Sequence, residues 1–284
     1  MKKLSFSMVI LLVCLLSVAL SNTWASDNTP QYKVYAIHYG TMDGYSLSYL
    51  NYLGDPKEQR TLDWAFWAIV GNNRVVLVDT GFSDESYVKK WNIKDWSRTD
   101  KLLHKIGLTP GDITDIIITH LHWDHAGNIE NFNPDATIWI QKSDLEFAAG
   151  EAAQSNFGKI GLSQEDVLDM VKWNWEGRVK LIYGDKEIIP GIKCYLGGKH
   201  TFGFQWVSVN TASGTVVLAS DIVYMFDNIE NMTAIGTGLS SYDAYKTLER
   251  ILEVASSPSL IVPGHEPKVY ERWPTPGNGV AEIK

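Results

Sequence analysis

The sequence predicts one layered α/β domain behind a short export signal, and three observations carry that prediction. Apolar β-rich runs alternate with amphipathic helical stretches along the chain, with no low-complexity segment, linker or charge block between them. One hairpin design occurs twice. Several histidines and isolated acids stand just past the ends of short apolar runs, the strand-end position where layered α/β folds build their sites.

At the amino terminus, Lys2 and Lys3 precede an apolar run from Met8 to Leu20, and Thr23-Trp24-Ala25 lead to Ser26. This is the pattern of a secretory signal over residues 1–25, leaving 26–284 as the domain. The run is short for a membrane span and no later stretch approaches one, so the expected location is periplasmic or secreted, without stable membrane insertion after cleavage. Val13 before Cys14 argues against a lipid anchor, which wants a small residue there. Loss of the signal removes two lysines and no acid, leaving 23 basic against 33 acidic residues, a net charge of −10. Nucleic acid is therefore excluded as a partner. Cys194 becomes the only cysteine, so stability must come from a core. Within IKCYL it reads as a small buried hydrophobe.

In order, Trp64 to Val70, the turn Gly71-Asn72-Asn73, and Arg74 to Val78 read as a hairpin of two apolar strands. Asp115 to Thr119 is a short buried strand. Ser163-Gln164-Glu165-Asp166 resembles a capping box opening a helix toward Trp175, with Val167, Met170 and Val171 as core positions. Gln205 to Asn210, a turn at Ser213-Gly214, and Thr215 to Ala219 repeat the hairpin. Each hairpin ends in an acid, Asp79 in LVDTGF and Asp221 in LASDIVY, which suggests two similar halves offset in register by one residue. Tyr242 to Ala255 reads as an amphipathic helix with Tyr245, Leu248 and Leu252 on its apolar face, and Ser259 to Val262 as a last strand ending at Pro263-Gly264-His265.

The strand Asp115 to Thr119 runs straight into THLHWDHAGN, which contains HxHxDH. His120 and His122, two apart, project to the same side of an extended segment and can chelate one ion. Asp124 and His125 follow at once and can serve a second. Imidazole with carboxylate is a donor set for zinc or a neighbouring first-row metal. Of seven histidines in the chain, His200 and His265 share the strand-end context, each with a glycine one or two residues before it, whereas His38 and His104 do not. Asp221 can bridge two cations through its two oxygens. The expected centre therefore places His120, His122, His200 and Asp221 on one ion, and Asp124, His125, His265 and the same Asp221 on the other. Asp79 fits better as an acceptor that orients a ligand histidine. The cofactors expected are two divalent ions, zinc first, with iron, manganese or cobalt as alternatives.

HLHWDHAGN, GGKHTFG around His200, Asp221 and VPGHEP around His265, in that order, resemble the metallo-β-lactamase superfamily. LVDTGF, THLHWDHAGN and SDIVY together are most similar to its N-acyl homoserine lactonase branch, over nearly the whole mature chain. The resemblance implies a four-layer αββα sandwich and hydrolysis of a small-molecule lactone or ester. It also implies a role for Tyr224, since a tyrosine three residues after the bridging aspartate marks those lactonases. The histidine loop departs from the branch: Lys199 is inserted before His200, and Phe202 stands where proline is common.

Ions of this kind bring the pKa of bound water to about 7, so the expected nucleophile is hydroxide rather than a side chain. Tyr224 would polarise the carbonyl and Asp124 would carry the proton to the leaving alkoxide; plain packing is the alternative for Tyr224. Phe202, Phe204, Met225 and Phe226 could hold an acyl chain or could simply close the core. No basic cluster clamps a phosphodiester or polyanion. A β-lactamase is disfavoured, because the groups resembling this chain lack the bridging aspartate. A glutathione thioesterase is disfavoured by the short segment after Asp221. An iron-dependent oxidoreductase and a non-catalytic periplasmic binding protein remain as readings from other classes. Oligomeric state is not readable from the sequence.

Overall fold

The computed structural model describes residues 29–275 and 279–284; the segment 1–25 expected to be an export signal, with Cys14, lies outside the described residues. The chain forms two sheets. The first contains β1 (Lys33–Ser46), β2 (Gln59–Gly71), β3 (Arg74–Val78), β4 (Asp115–Ile117), β5 (Thr137–Gln141), β6 (Val179–Ile182) and β12 (Val280–Ile283). The second contains β7 (Lys186–Ile189), β8 (Ile192–Leu196), β9 (Gln205–Thr211), β10 (Gly214–Ser220) and β11 (Ile261–Pro263). Their orders are β12-β1-β2-β3-β4-β5-β6 and β11-β10-β9-β8-β7.

Strand alternation explains why these runs are apolar throughout. Val34, Trp67, Ile69, Val76, Val78 and Ile117 of the first sheet meet Ile192, Cys194, Val207, Val209, Val216 and Leu218 of the second in one buried cluster. The alternate residues Ile37, Phe66, Leu77 and Ile116, and Trp206, Val217 and Ala219, face the helical layers. A sheet covered on both faces has no polar side. The architecture is the expected αββα sandwich, with Lys142–Ala149 and Gln164–Trp175 among the helices over the first sheet and Ser241–Val254 over the second. Among the described residues no helix is long and apolar enough to cross a membrane.

Both hairpins form where the sequence placed them. Asn72 and Asn73 both take left-handed backbone (φ 49° and 56°), and Gly71 pairs with Arg74, the two-residue turn whose twist suits a hairpin. In each half the hairpin's second strand then pairs in parallel with the next, β3 with β4 and β10 with β11. The one-residue offset has a structural origin. The left-handed residue closing the strand is Asp79 itself in the first half (φ 61°) and Ser220 in the second (φ 47°), so Asp221 falls one step later.

Three expectations need correction. The buried face of Ser241–Val254 is Ala244, Thr247, Leu248 and Ile251, while Tyr245 is exposed. Small Ala244 and Thr247 let the helix approach its sheet, and this outweighs the larger side chains one residue away. The segment before His265 is a strand only over Ile261–Pro263, preceded by a 3₁₀ turn at Pro258–Leu260. Nor is it the last strand, because β12 pairs antiparallel with β1 at the edge of the first sheet. The helix from Gln164 has the expected cap, with Ser163 Oγ accepting from the Asp166 N–H at 3.3 Å.

Candidate metal centre

The ends of β3, β4, β8, β10 and β11 meet at one edge of the sandwich, and the loops leaving them carry the polar residues. Seven side chains form two donor groups, His120, His122, His200 and Asp221, and Asp124, His125 and His265, the donor atoms of each group lying within 4.8 Å of one another. These are the residues singled out in the sequence, in the two sets expected there except that Asp221 falls with the first set alone. His38 and His104 are elsewhere: His38 contacts Thr41 Oγ1 at 2.8 Å, and exposed His104 lies against the Lys101 carbonyl.

In the first group His120 Nε2 is 3.0 Å from His122 Nδ1, which is 3.1 Å from His200 Nε2. Asp221 Oδ2 lies 3.3 Å from His200 Nε2 and 3.9 Å from His120 Nε2. Asp221 Oδ1 faces the second group, 3.1 Å from His265 Nε2 and 3.2 Å from His125 Nε2. Asp124 Oδ2 is 3.5 Å from the same His125 nitrogen. One carboxylate thus offers one oxygen to each group.

The tautomers point the same way. Asp79, fully buried, accepts His125 Nδ1–H at 2.8 Å, which leaves Nε2 as the lone-pair nitrogen. Thr119 donates its hydroxyl to Asp79 Oδ2 (2.8 Å) and so accepts from His120 Nδ1–H (3.0 Å), freeing His120 Nε2 as well. His265 Nδ1 faces the Asp63 carbonyl at 3.2 Å. Burial drives the pKa of His120 well below its ordinary value, lowers that of His122, and takes that of His200 to about 3, so these three are neutral imidazoles. Burial works against charge on His125 too, but Asp221, Asp124 and Asp79 outweigh it.

The donors fit divalent ions. Neutral nitrogens with lone pairs converging at about 3 Å repel one another, and donors about 2 Å from a shared ion in a tetrahedron stand about 3.3 Å apart. His125 Nε2 is buried with no hydrogen-bond partner while it faces two carboxylates. A cation satisfies each of these.

The loop after β3 clasps the motif. Thr80 N–H donates to the His125 carbonyl (2.7 Å) and Ser83 N–H to that of Gly127 (2.7 Å). Trp123 stacks on Tyr87, ring centroids 4.0 Å apart, and both rings line the cleft that opens at the donors.

A family model described as "Metallo-beta-lactamase superfamily" matches residues 65–265, from β2 to the last donor histidine. The chain belongs to that superfamily. Curated relatives include an N-acyl homoserine lactonase of Bacillus sp, 29% identical over 201 residues, 66% of this chain and 74% of the relative. Another is the N-acyl homoserine lactonase AttM of Rhizobium radiobacter, 27% identical over 200 residues, 63% of this chain and 68% of the relative. Among solved structures, a quorum-quenching N-acyl homoserine lactone lactonase is 26% identical, with TM-score 0.69, over 84% of this chain and 94% of that one. AidC, a dizinc quorum-quenching lactonase in complex with a product, shares the fold at 16% identity and TM-score 0.64, over 90% of this chain and 98% of that one.

Two clefts open from the centre of this superfamily member. The larger, about 510 Å³, contains His122, Asp124, His200, Asp221 and His265, and Tyr224 forms part of its wall. The Tyr224 ring lies 5.3 Å from that of His265 and 5.9 Å from that of His200, and its hydroxyl is 3.0 Å from Thr237 Oγ1. Burial, then Asp221, raises the phenol pKa well above its ordinary value, so the hydroxyl stays protonated and can donate. The second cleft, about 240 Å³, shares His122 and His200 but is otherwise mostly apolar, walled by Phe147, Phe157, Ile160, Leu162, Phe202 and Leu239.

Of the four residues considered for an acyl chain, only Phe202 lines this apolar cleft, stacked on Phe147 at 4.8 Å. Phe204 is buried behind the donors, its ring 5.5 Å from His120. Met225 is a core residue, and Phe226 belongs to the cluster between the sheets. They are near Asp221 in sequence, but the chain turns inward after Tyr224. Phe147, Ile160 and Asp144 escaped the sequence reading. Asp144, three residues after β5, satisfies the strand-end pattern that singled out Asp79 and Asp221.

Proposed function

We propose that the protein is a hydrolase that uses two divalent ions to open the lactone ring of N-acyl homoserine lactones. The observation that carries this is the convergence of seven donors into two groups that Asp221 joins, five of them lining one cleft with a protonated tyrosine. Zinc is the ion we assign, because imidazole and carboxylate donors suit it, with iron, manganese and cobalt as alternatives. Ions held by these residues would supply Lewis acidity and ionise water near neutral pH.

The chain's own residues supply the rest. Tyr224 O–H donates to the lactone carbonyl oxygen and stabilises the negative charge that grows there. Asp124, partly exposed in the cleft, takes up the proton that the attacking water gives up and passes it to the ring oxygen as it leaves. Asp79 and Thr119 hold the ring tautomers. The relatives act on N-acyl homoserine lactones, and an apolar cleft beside a polar one suits a molecule with an apolar tail and a polar ring. Export is part of the proposal and rests on Lys2, Lys3 and the run Met8 to Leu20.

The test is a panel on metal-loaded protein: homoserine lactones of several chain lengths, aliphatic lactones, aryl esters, glutathione thioesters and a β-lactam. Homoserine lactones are expected to have the highest kcat/KM; preference for the thioester or β-lactam would overturn the reading. Tyr224→Phe is expected to lower kcat/KM by about 100-fold, the effect of losing one oxyanion donor, with ion content unchanged. Full activity in that variant would remove Tyr224 from the chemistry.

The apolar cleft leads to a further expectation. From N-butanoyl to N-decanoyl substrates kcat/KM should rise by up to about four-fold per buried methylene. Phe202→Ala should lower the decanoyl value roughly ten-fold while leaving the butanoyl value within about two-fold. Equal loss at every chain length would place the tail elsewhere.

A further inference from the structure

We infer that Asp144 is a positioning residue for one of the two ions, a buried carboxylate that clamps together the two loops carrying His120, His122 and His200. Its side chain stands at the start of the helix Lys142–Ala149, 2% exposed, and is not among the seven donors. Oδ2 accepts the N–H of Leu121, the residue between His120 and His122, at 3.0 Å. Oδ1 accepts the Thr201 hydroxyl at 2.7 Å and the Gly203 N–H at 2.9 Å, from the residues just past His200. His122 and His200 are 78 positions apart in the chain, yet their donor nitrogens lie 3.1 Å from each other.

The approach of the second loop is close enough to require glycine. A Cβ on Gly203 would stand 2.2 Å from the Asp144 backbone nitrogen. The loop therefore rests on the first turn of the helix, and the carboxylate fixes its position relative to the HxH segment. The other donor group is held differently, with His125 on Asp79 and His265 against the Asp63 carbonyl. Asp144 bonds neither Asp124, His125 nor His265.

The chemistry of the clamp is specific. All three partners are donors, and an ionised carboxylate is acceptor-only, able to take all of them. Asparagine has the same shape but would turn an N–H₂ toward at least one N–H or O–H, leaving a buried donor unpaired. Asp144→Asn should therefore fail to rescue, which separates this role from simple space filling.

The inference rests on the two-ion reading of the site but not on the substrate, so its test is ion binding. Metal-free wild type, Asp144→Asn and Thr201→Val would be titrated with zinc against a chelator, and cobalt spectra recorded for each. Asp144→Asn is expected to weaken one ion by 10- to 100-fold, as loss of a residue that orients ligands does, and to leave the other within about three-fold. After dialysis that leaves two ions on wild type it should retain one. Thr201→Val removes a single contact from a part-buried side chain and should weaken the same ion by several-fold, which decides the matter if Asp144→Asn does not fold. Equal weakening of both ions, or no change in either, would overturn the role of Asp144. Wild type that binds fewer than two ions would sink both this inference and the reading beneath it.

Discussion

Asp221→Ala is expected to lower kcat/KM for lactone hydrolysis by about four orders of magnitude and to reduce the ions bound per chain. The argument is geometric. Asp221 Oδ2 faces His200 and His120, and Oδ1 faces His265 and His125, so one substitution removes a donor from both groups. It also removes the negative charge that would offset two cations bound side by side. Losing several kcal/mol of transition-state stabilisation, about 5.5 in this case, corresponds to a 10⁴-fold effect. Asp221→Asn keeps the shape without the charge and should fall between the variant and wild type. Two ions and more than about a hundredth of wild-type activity in Asp221→Ala would refute the bridging role.

Removing the ions should cost stability as well as activity. A ligand that binds only the folded state stabilises it by RT ln(1 + [L]/Kd), about 4 kcal/mol when free ion is a thousand times Kd, or about 8 kcal/mol for two ions. For a chain of this size each kcal/mol shifts Tm by about 2–4 °C, so chelation should lower Tm by roughly 15–30 °C. His120, Asp221 and Asp79 are buried almost completely, so without ions these polar groups would crowd one another away from bulk water. Thermal unfolding with and without chelator, followed by re-addition of zinc, would measure this. A shift of under about 5 °C would mean that the donors are satisfied without metal.

Much of this was legible in the sequence, for identifiable reasons. The HxHxDH spacing is local, and the strand-end context of His200, Asp221 and His265 follows from short apolar runs punctuated by glycine. The two hairpins announce themselves through Asn72-Asn73 and Ser213-Gly214. What escaped depends on distant partners. β12 is four residues whose strand character comes from pairing with β1. The buried face of Ser241–Val254 is chosen by small residues that permit close packing, which a hydrophobicity pattern undervalues. Phe204, Met225 and Phe226 read like pocket residues because they are near the donors in sequence, yet chain direction sends them inward. Asp144 bears no motif, and its meaning lies in Leu121, Thr201 and Gly203 arriving from two separate loops.

The doubled hairpin gives the site an unusual inheritance. His120, His122, Asp124 and His125 follow the first hairpin; His200, Asp221 and His265 come from the second sheet, and each donor group draws on both. Neither half by itself assembles a full set for even one ion. Catalysis is accordingly a property of the seam: a hairpin unit of this kind acquires value only when joined to its counterpart, and any recombination that exchanges one half must preserve the angle of the joint as well as the histidines.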